Sequence, residues 1–157
     1  MEFKNLKEKE ILLLSHLRED GRMTLTDLSK KTGIPVSTSY EKLKRYKNRI
    51  KLKPTILLDF KEIGYKMRTF FLVRVSEDKE EDLKDFLKKS GHLNSLLRIN
   101  NQFDFLFDCF FKSLVESEKF ERDLKKFCSN IKHHYTLEEI EKQNFLSNGN
   151  LIESGVF

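Results

Sequence analysis

Between Tyr40 and Lys53 the chain carries Lys42, Lys44, Arg45, Lys47, Arg49, Lys51 and Lys53, with Glu41 as the single acid. Cations at that density, preceded by the hydroxyls of Ser37 and Thr38, suit a polyanion that also presents hydrogen-bonding edges. Cations meet phosphates, while hydroxyl and carboxylate groups can meet bases in a major groove. Ser39, Leu43, Tyr46 and Ile50 recur at spacings of four, three and four, which assigns them to the core face of a helix. At about 100° per residue the opposite side carries Ser37, Glu41 and Lys44, flanked by Thr38, Tyr40 and Arg45. These six, with Lys51 and Lys53 just beyond, are the candidate DNA-contacting residues. A Lys-rich amphipathic helix is also what an ordinary solvated surface looks like, so the elements around it must decide.

The preceding stretch supplies the means of positioning such a helix. Thr24 can cap the free amides of a helical first turn, with Asp27 three residues on facing the positive end of the helix dipole. Leu25 and Leu28 form its buried stripe, and Ser29 is small enough for a second helix to cross closely. Gly33 tolerates the positive φ of a helix stop, Ile34 is an apolar plug, and Pro35 opens the next helix without wasting an amide, so that helix runs from 35–37 to about Asn48. A first helix spans Leu6 to Glu19, with Leu6, Glu10, Leu13, Leu14 and Leu17 at helical spacing, and Asp20-Gly21 ends it. After the third helix, Ile50 to Lys53 and Thr55 to Phe60 are expected to pair as two short strands around Pro54, a wing.

Charge is divided along the chain. Residues 1–68 hold 17 Lys and Arg against 9 Asp and Glu, whereas residues 69–157 hold 13 against 16, so only the N-terminal part is built to meet a polyanion. The 38% hydrophobic residues, 14 Phe among them, suffice for a real core. No apolar run approaches the roughly 18 residues of a membrane span. The charged start MEFKNLKEKE does not read as a secretory signal, and Cys109 and Cys128 sit in apolar patterns away from metal-ligand spacing, so the expectation is a cytoplasmic protein with reduced thiols, no metal and no cofactor.

Beyond Lys61–Lys66, a linker containing Gly64, the pattern changes. Thr69 to Val75 reads as a strand, Ser76 to Ser90 as a helix stopped by Gly91, and Ser95 to Asn100 as a second strand. Phe103 to Phe111 is a third, Leu114 to Asn130 a second helix, and Lys132 to Leu137 a last strand. Phe103, Phe105, Phe107, Cys109 and Phe111 alternate with Asp104, Leu106, Asp108 and Phe110, giving one apolar face and one half-apolar face of the kind a partner subunit covers. The order strand, helix, strand, strand, helix, strand is ferredoxin-like.

This organisation resembles the Lrp/AsnC family, the feast/famine transcription regulators, over about residues 4–142. The resemblance is carried by DGRMTLTDLSKKTGIPVSTSYEKLKR, by LLDFKEIGY at the linker and by NNQFDFLFD at the central hairpin. It implies an α+β chain: a winged helix-turn-helix at 1–60, a linker at 61–66, a ferredoxin-like βαββαβ sensor and dimerisation domain at 67–143, and a C-terminal tail at 144–157. It further implies double-stranded DNA as partner, a homodimer that in some members assembles further, and a small effector such as an amino acid near Asn101 and Asp104. The family's hairpin has a Gly where Asn101 stands, its recognition helix commonly has a capping Ser where Pro35 stands, and the usual Gly after that helix is missing from YKNRI. Two other readings share the architecture. A sirohaem-decarboxylase-like enzyme would draw on His92, His133 and His134, although adjacent residues on a strand point to opposite faces. A protein-docking module would leave Lys44 and Arg45 without a role.

Overall fold

The computed structural model describes residues 7–147, and the chain divides into two compact units, one of residues 7–57 with 140–147 and the other Leu58–Glu139. The first contains α1 (Glu8–Glu19), α2 (Leu25–Thr32) and α3 (Val36–Arg49). Position 6 and the tail from 148 onward lie outside the described residues. Leu13, Leu28, Ile34 and Tyr46 form the core, with Leu14, Leu17, Met23, Leu25, Leu43 and Leu52 packed against it.

The local signals act as their chemistry dictates. Thr24 accepts a hydrogen bond from the Asp27 amide at 3.1 Å and caps α2. Gly33 takes φ 66°, and its amide donates to Ser29 O at 2.9 Å, so the chain turns sharply into α3. Ser39 is fully buried on α3, where a larger side chain would hold the helices apart. Ile50, expected on the same face, is instead 40% exposed: α3 ends at Arg49 and Ile50 leaves the helix at φ −111°, ψ 13°.

The expected wing strands are absent, for residues 50–66 contain no strand. Leu52 is drawn into the helical core, its amide reaching Tyr46 O at 3.3 Å, and Pro54 removes a donor where a ladder would need one. A two-stranded ribbon this short is also marginal without further support.

The second unit is an antiparallel sheet of β1 (Met67–Val75), β2 (Leu93–Arg98), β3 (Phe105–Phe111) and β4 (Cys128–Tyr135), ordered β2-β3-β1-β4. A 3-10 turn at Glu77–Lys79 leads into α4 (Glu80–Lys89), and α5 (Leu114–Leu124) joins β3 to β4. The connectivity is ferredoxin-like, as expected. Leu83, Leu87, Phe120 and Leu124 of the helices pack on Phe71, Val73, Phe105, Phe107, Cys109 and Phe111 of the central strands. The last strand begins earlier than its sequence suggests. Phe127, Cys128 and Ile131 continue a helical spacing, yet α5 stops at Leu124, and pairing with β1 from Val75↔Cys128 to Thr69↔Tyr135 makes this segment a strand.

Residues 58–66 fold onto this unit. Asp59 accepts from the Lys61 amide at 2.9 Å, Gly64 takes φ 95°, and the Phe60 ring lies 4.2 Å from that of Phe110.

Candidate nucleic-acid interface

Helix α3 turns one stripe inward and leaves the rest to solvent. Ser39 and Tyr46 are buried and Leu43 is half-buried. Ser37, Thr38, Glu41, Lys44 and Arg45 are exposed, as is Tyr40, 54% of whose surface is accessible. All six predicted α3 contact residues therefore lie on accessible surface. Pro35 at the N-cap makes no side-chain cap bond, and the first turn carries no acid. Lys51, with φ 52°, and Lys53 are exposed in the irregular exit rather than on wing strands.

Lys42 breaks from the basic series. Its ammonium is turned toward α1, where it contacts Glu10 Oε1 at 2.5 Å, and the backbone amide of Lys7 donates to Glu10 Oε2 at 3.0 Å. The Lys42 bond, then that of the Lys7 amide, lowers the Glu10 carboxyl from 4.5 to about 2, against the opposing effect of burial. Burial, with the Glu10 carboxylate beside it, raises the Tyr46 phenol above its usual range. Glu10 thus fixes α3 against α1. Because its folded value lies below the unfolded one, the stability from this pair is complete above about pH 4.5 and is lost as pH falls toward 2. Glu10→Gln is expected to cost about 1–2 kcal/mol after solvent screening and to flatten the acid limb of stability between those values, read by thermal melts at stepped pH.

At the hairpin, Asn101 is exposed and takes φ 73°, the backbone conformation that its Asn side chain tolerates. Asp104 is engaged within the fold: its Oδ2 accepts from the Val75 amide at 2.8 Å, where the β1–β4 register shifts, and its own amide donates to Val73 O at 2.9 Å.

Comparison with known proteins accords with this geometry. A family described as winged helix-turn-helix DNA-binding matches residues 6–49. The glutamate uptake regulatory protein of Zymomonas mobilis is 26% identical over 133 residues, 82% of this chain and 79% of that protein. Among solved structures, a transcriptional regulator of Neisseria meningitidis in complex with L-Met superposes with a TM-score of 0.80 at 22% identity, covering 88% of this chain and 94% of that one. LrpC of B. subtilis gives 0.80 at 17% identity, covering 88% and 99%. The chain shares the fold of these solved regulators.

His92, His133 and His134 do not converge. His133 Nδ1 lies 3.0 Å from Glu121, and His92 Nδ1 lies 3.1 Å from Phe110 O, whereas His134 is on the sheet face opposite to His133. Among the described residues no cluster of His, Cys, Asp and Glu could hold a metal ion, and no helix is long and apolar enough to cross a membrane. Burial pushes both thiols up to about 12, with the Asp108 charge adding to the effect at Cys109.

One polar assembly escaped the sequence reading. On the sheet face away from the helices, Asp108 is 1% exposed and accepts from Arg68 Nε at 2.8 Å, from Asn94 Nδ2 at 2.9 Å and from the Ser95 hydroxyl. Arg68 also bonds Glu139 at 2.5 Å and lies over the rings of Phe70 and Phe110. The charges in β1 and β3 were visible, but no local spacing pairs residues forty positions apart.

Proposed function

We infer that this chain is a sequence-specific DNA-binding transcription regulator that works as a dimer and responds to a small effector such as an amino acid. The observation that carries the reading is α3. Ser37, Thr38, Tyr40, Glu41, Lys44 and Arg45 form an exposed set of hydroxyls, one acid and two cations, while Lys42 is bound inward to Glu10. In this role α3 enters a major groove, its polar side chains meet base edges, and Lys51 and Lys53 neutralise phosphate.

The sheet face remote from the helices supports the dimer. Phe70, Leu72, Leu106 and Phe110 are only half-buried there, and Leu97 is 53% exposed. A second copy placing the same face against it would bury a contiguous apolar surface with two-fold symmetry. The L-Met complex of the Neisseria relative supports an amino acid as the effector class, and the hairpin at Asn101 and Asp104 is the candidate place for it.

Selection from random duplexes at two salt concentrations, with Lys44→Ala/Arg45→Ala alongside, tests this function. The expected result is a pseudo-palindromic site, its halves about one helical turn apart, which the variant no longer enriches. For roughly six phosphate contacts, affinity should fall on the order of a thousandfold between about 50 and 200 mM salt. Wild-type affinity for the selected site that is indifferent to salt, or a variant that enriches the same site equally well, would overturn the reading.

A further inference from the structure

Glu41 is an anomaly on a surface that meets phosphates. It is the one acid between Tyr40 and Lys53 and is exposed on α3, with Ser37 one turn before it and Lys44 and Arg45 three and four residues after. Glu followed four residues later by Arg is the favoured order for a helical ion pair. Yet among the described residues the Glu41 carboxylate has no hydrogen bond or ion pair, whereas Glu10, Glu80 and Glu121 are each engaged by a cation. Held toward DNA, an unpaired carboxylate repels the backbone and weakens binding to every duplex unless a specific donor offsets the repulsion.

The major groove offers two such donors, the exocyclic amines of cytosine and adenine. Adenine N6 lies beside N7, whose lone pair repels a carboxylate. Cytosine N4 lies beside a C–H and carries no such penalty. The guanine opposite that cytosine presents O6 and N7, the acceptors suited to Lys44 or Arg45 one turn along the same helix. We propose that Glu41 selects a cytosine in each half-site of the operator, with the neighbouring cations reading guanine; this rests on the DNA-binding function inferred above.

The experiment is selection from random duplexes with full-length wild type, Glu41→Gln and Glu41→Ala, each checked for native helix content. Wild type should enrich half-sites with one position dominated by cytosine. Glu41→Ala should lose discrimination at that position on the order of tenfold while the other positions keep theirs, and should bind unselected duplex more tightly. Glu41→Gln should shift the same position toward adenine, whose N6 and N7 together match a carboxamide. Identical base preferences in all three proteins overturn the proposal. So does a uniform loss of affinity, because that marks Glu41 as a helix-stabilising partner of Arg45. If wild type retains no duplex at all, the DNA-binding function fails first and the assignment of Glu41 falls with it.

Discussion

Phe71→Ala is expected to unfold the sheet unit at a temperature lower by roughly 15 °C or more, the largest effect anticipated for a single substitution in this chain. Phe71 is fully buried at the centre of β1, facing Phe107 across the register with ring centroids 5.2 Å apart. Phe120 of α5 lies 5.6 Å away and Phe111 6.5 Å away, so one ring joins two strands to a helix. Truncating such a ring removes its transfer free energy and leaves a cavity whose walls are other rings, which collapse poorly. The cost is about 3–5 kcal/mol out of a typical domain stability of about 5–15 kcal/mol. Because the helical unit has its own core of Leu13, Leu28, Ile34 and Tyr46, its transition should move far less. Calorimetry with far- and near-ultraviolet circular dichroism reads both transitions. A shift of only a few degrees, or an equal shift of both, would contradict this account.

Asp108→Ala is expected to cost about 2–3 kcal/mol, the next largest effect, for an electrostatic reason. The carboxylate is buried and receives three side-chain donors, so its removal leaves the partly exposed Arg68 guanidinium with Glu139 as its remaining carboxylate contact among the described residues and takes an acceptor from Asn94 and Ser95. Asp108→Asn should also destabilise substantially, since it preserves shape but not charge. Arg68→Met combined with Asp108→Leu should recover most of the loss, because the penalty comes from a weakened counter-charge and the pair itself contributes little net stability. Urea unfolding of the four proteins distinguishes these outcomes. If Asp108→Ala cost less than about 1 kcal/mol, the network would carry no energetic weight in the folded monomer.

The helix-turn-helix was readable because its signals are local. A hydroxyl at Thr24, a Gly at position 33 that must take positive φ, and the four-three spacing of Ser39, Leu43 and Tyr46 each act within a turn or two of backbone. The alternation of β3 likewise announced its two faces, since side chains on a strand have no other choice. Where neighbours far along the chain decide, the local pattern misled. The helical spacing of Phe127, Cys128 and Ile131 gave way to strand pairing with β1, whose ladder outweighs helix propensity. The wing failed because Leu52 found a place in the helical core.

What the sequence determined by itself was the order of elements outside the expected wing, the basic α3 surface and the partition of charge, all consequences of residue type and short-range spacing. Only the tertiary structure decided which charges remain available. Lys42 and Glu41 are adjacent and equally polar in sequence, yet Lys42 is bound to Glu10 across thirty-two positions while Glu41 stands without a partner among the described residues. Asp108 is buried against Arg68, and Asp104, four residues earlier on the chain, accepts a backbone amide. The availability of a charge depends on groups brought within a few ångströms by the whole fold, because Coulomb and hydrogen-bond energies act through space and the order of residues fixes only what is near along the chain.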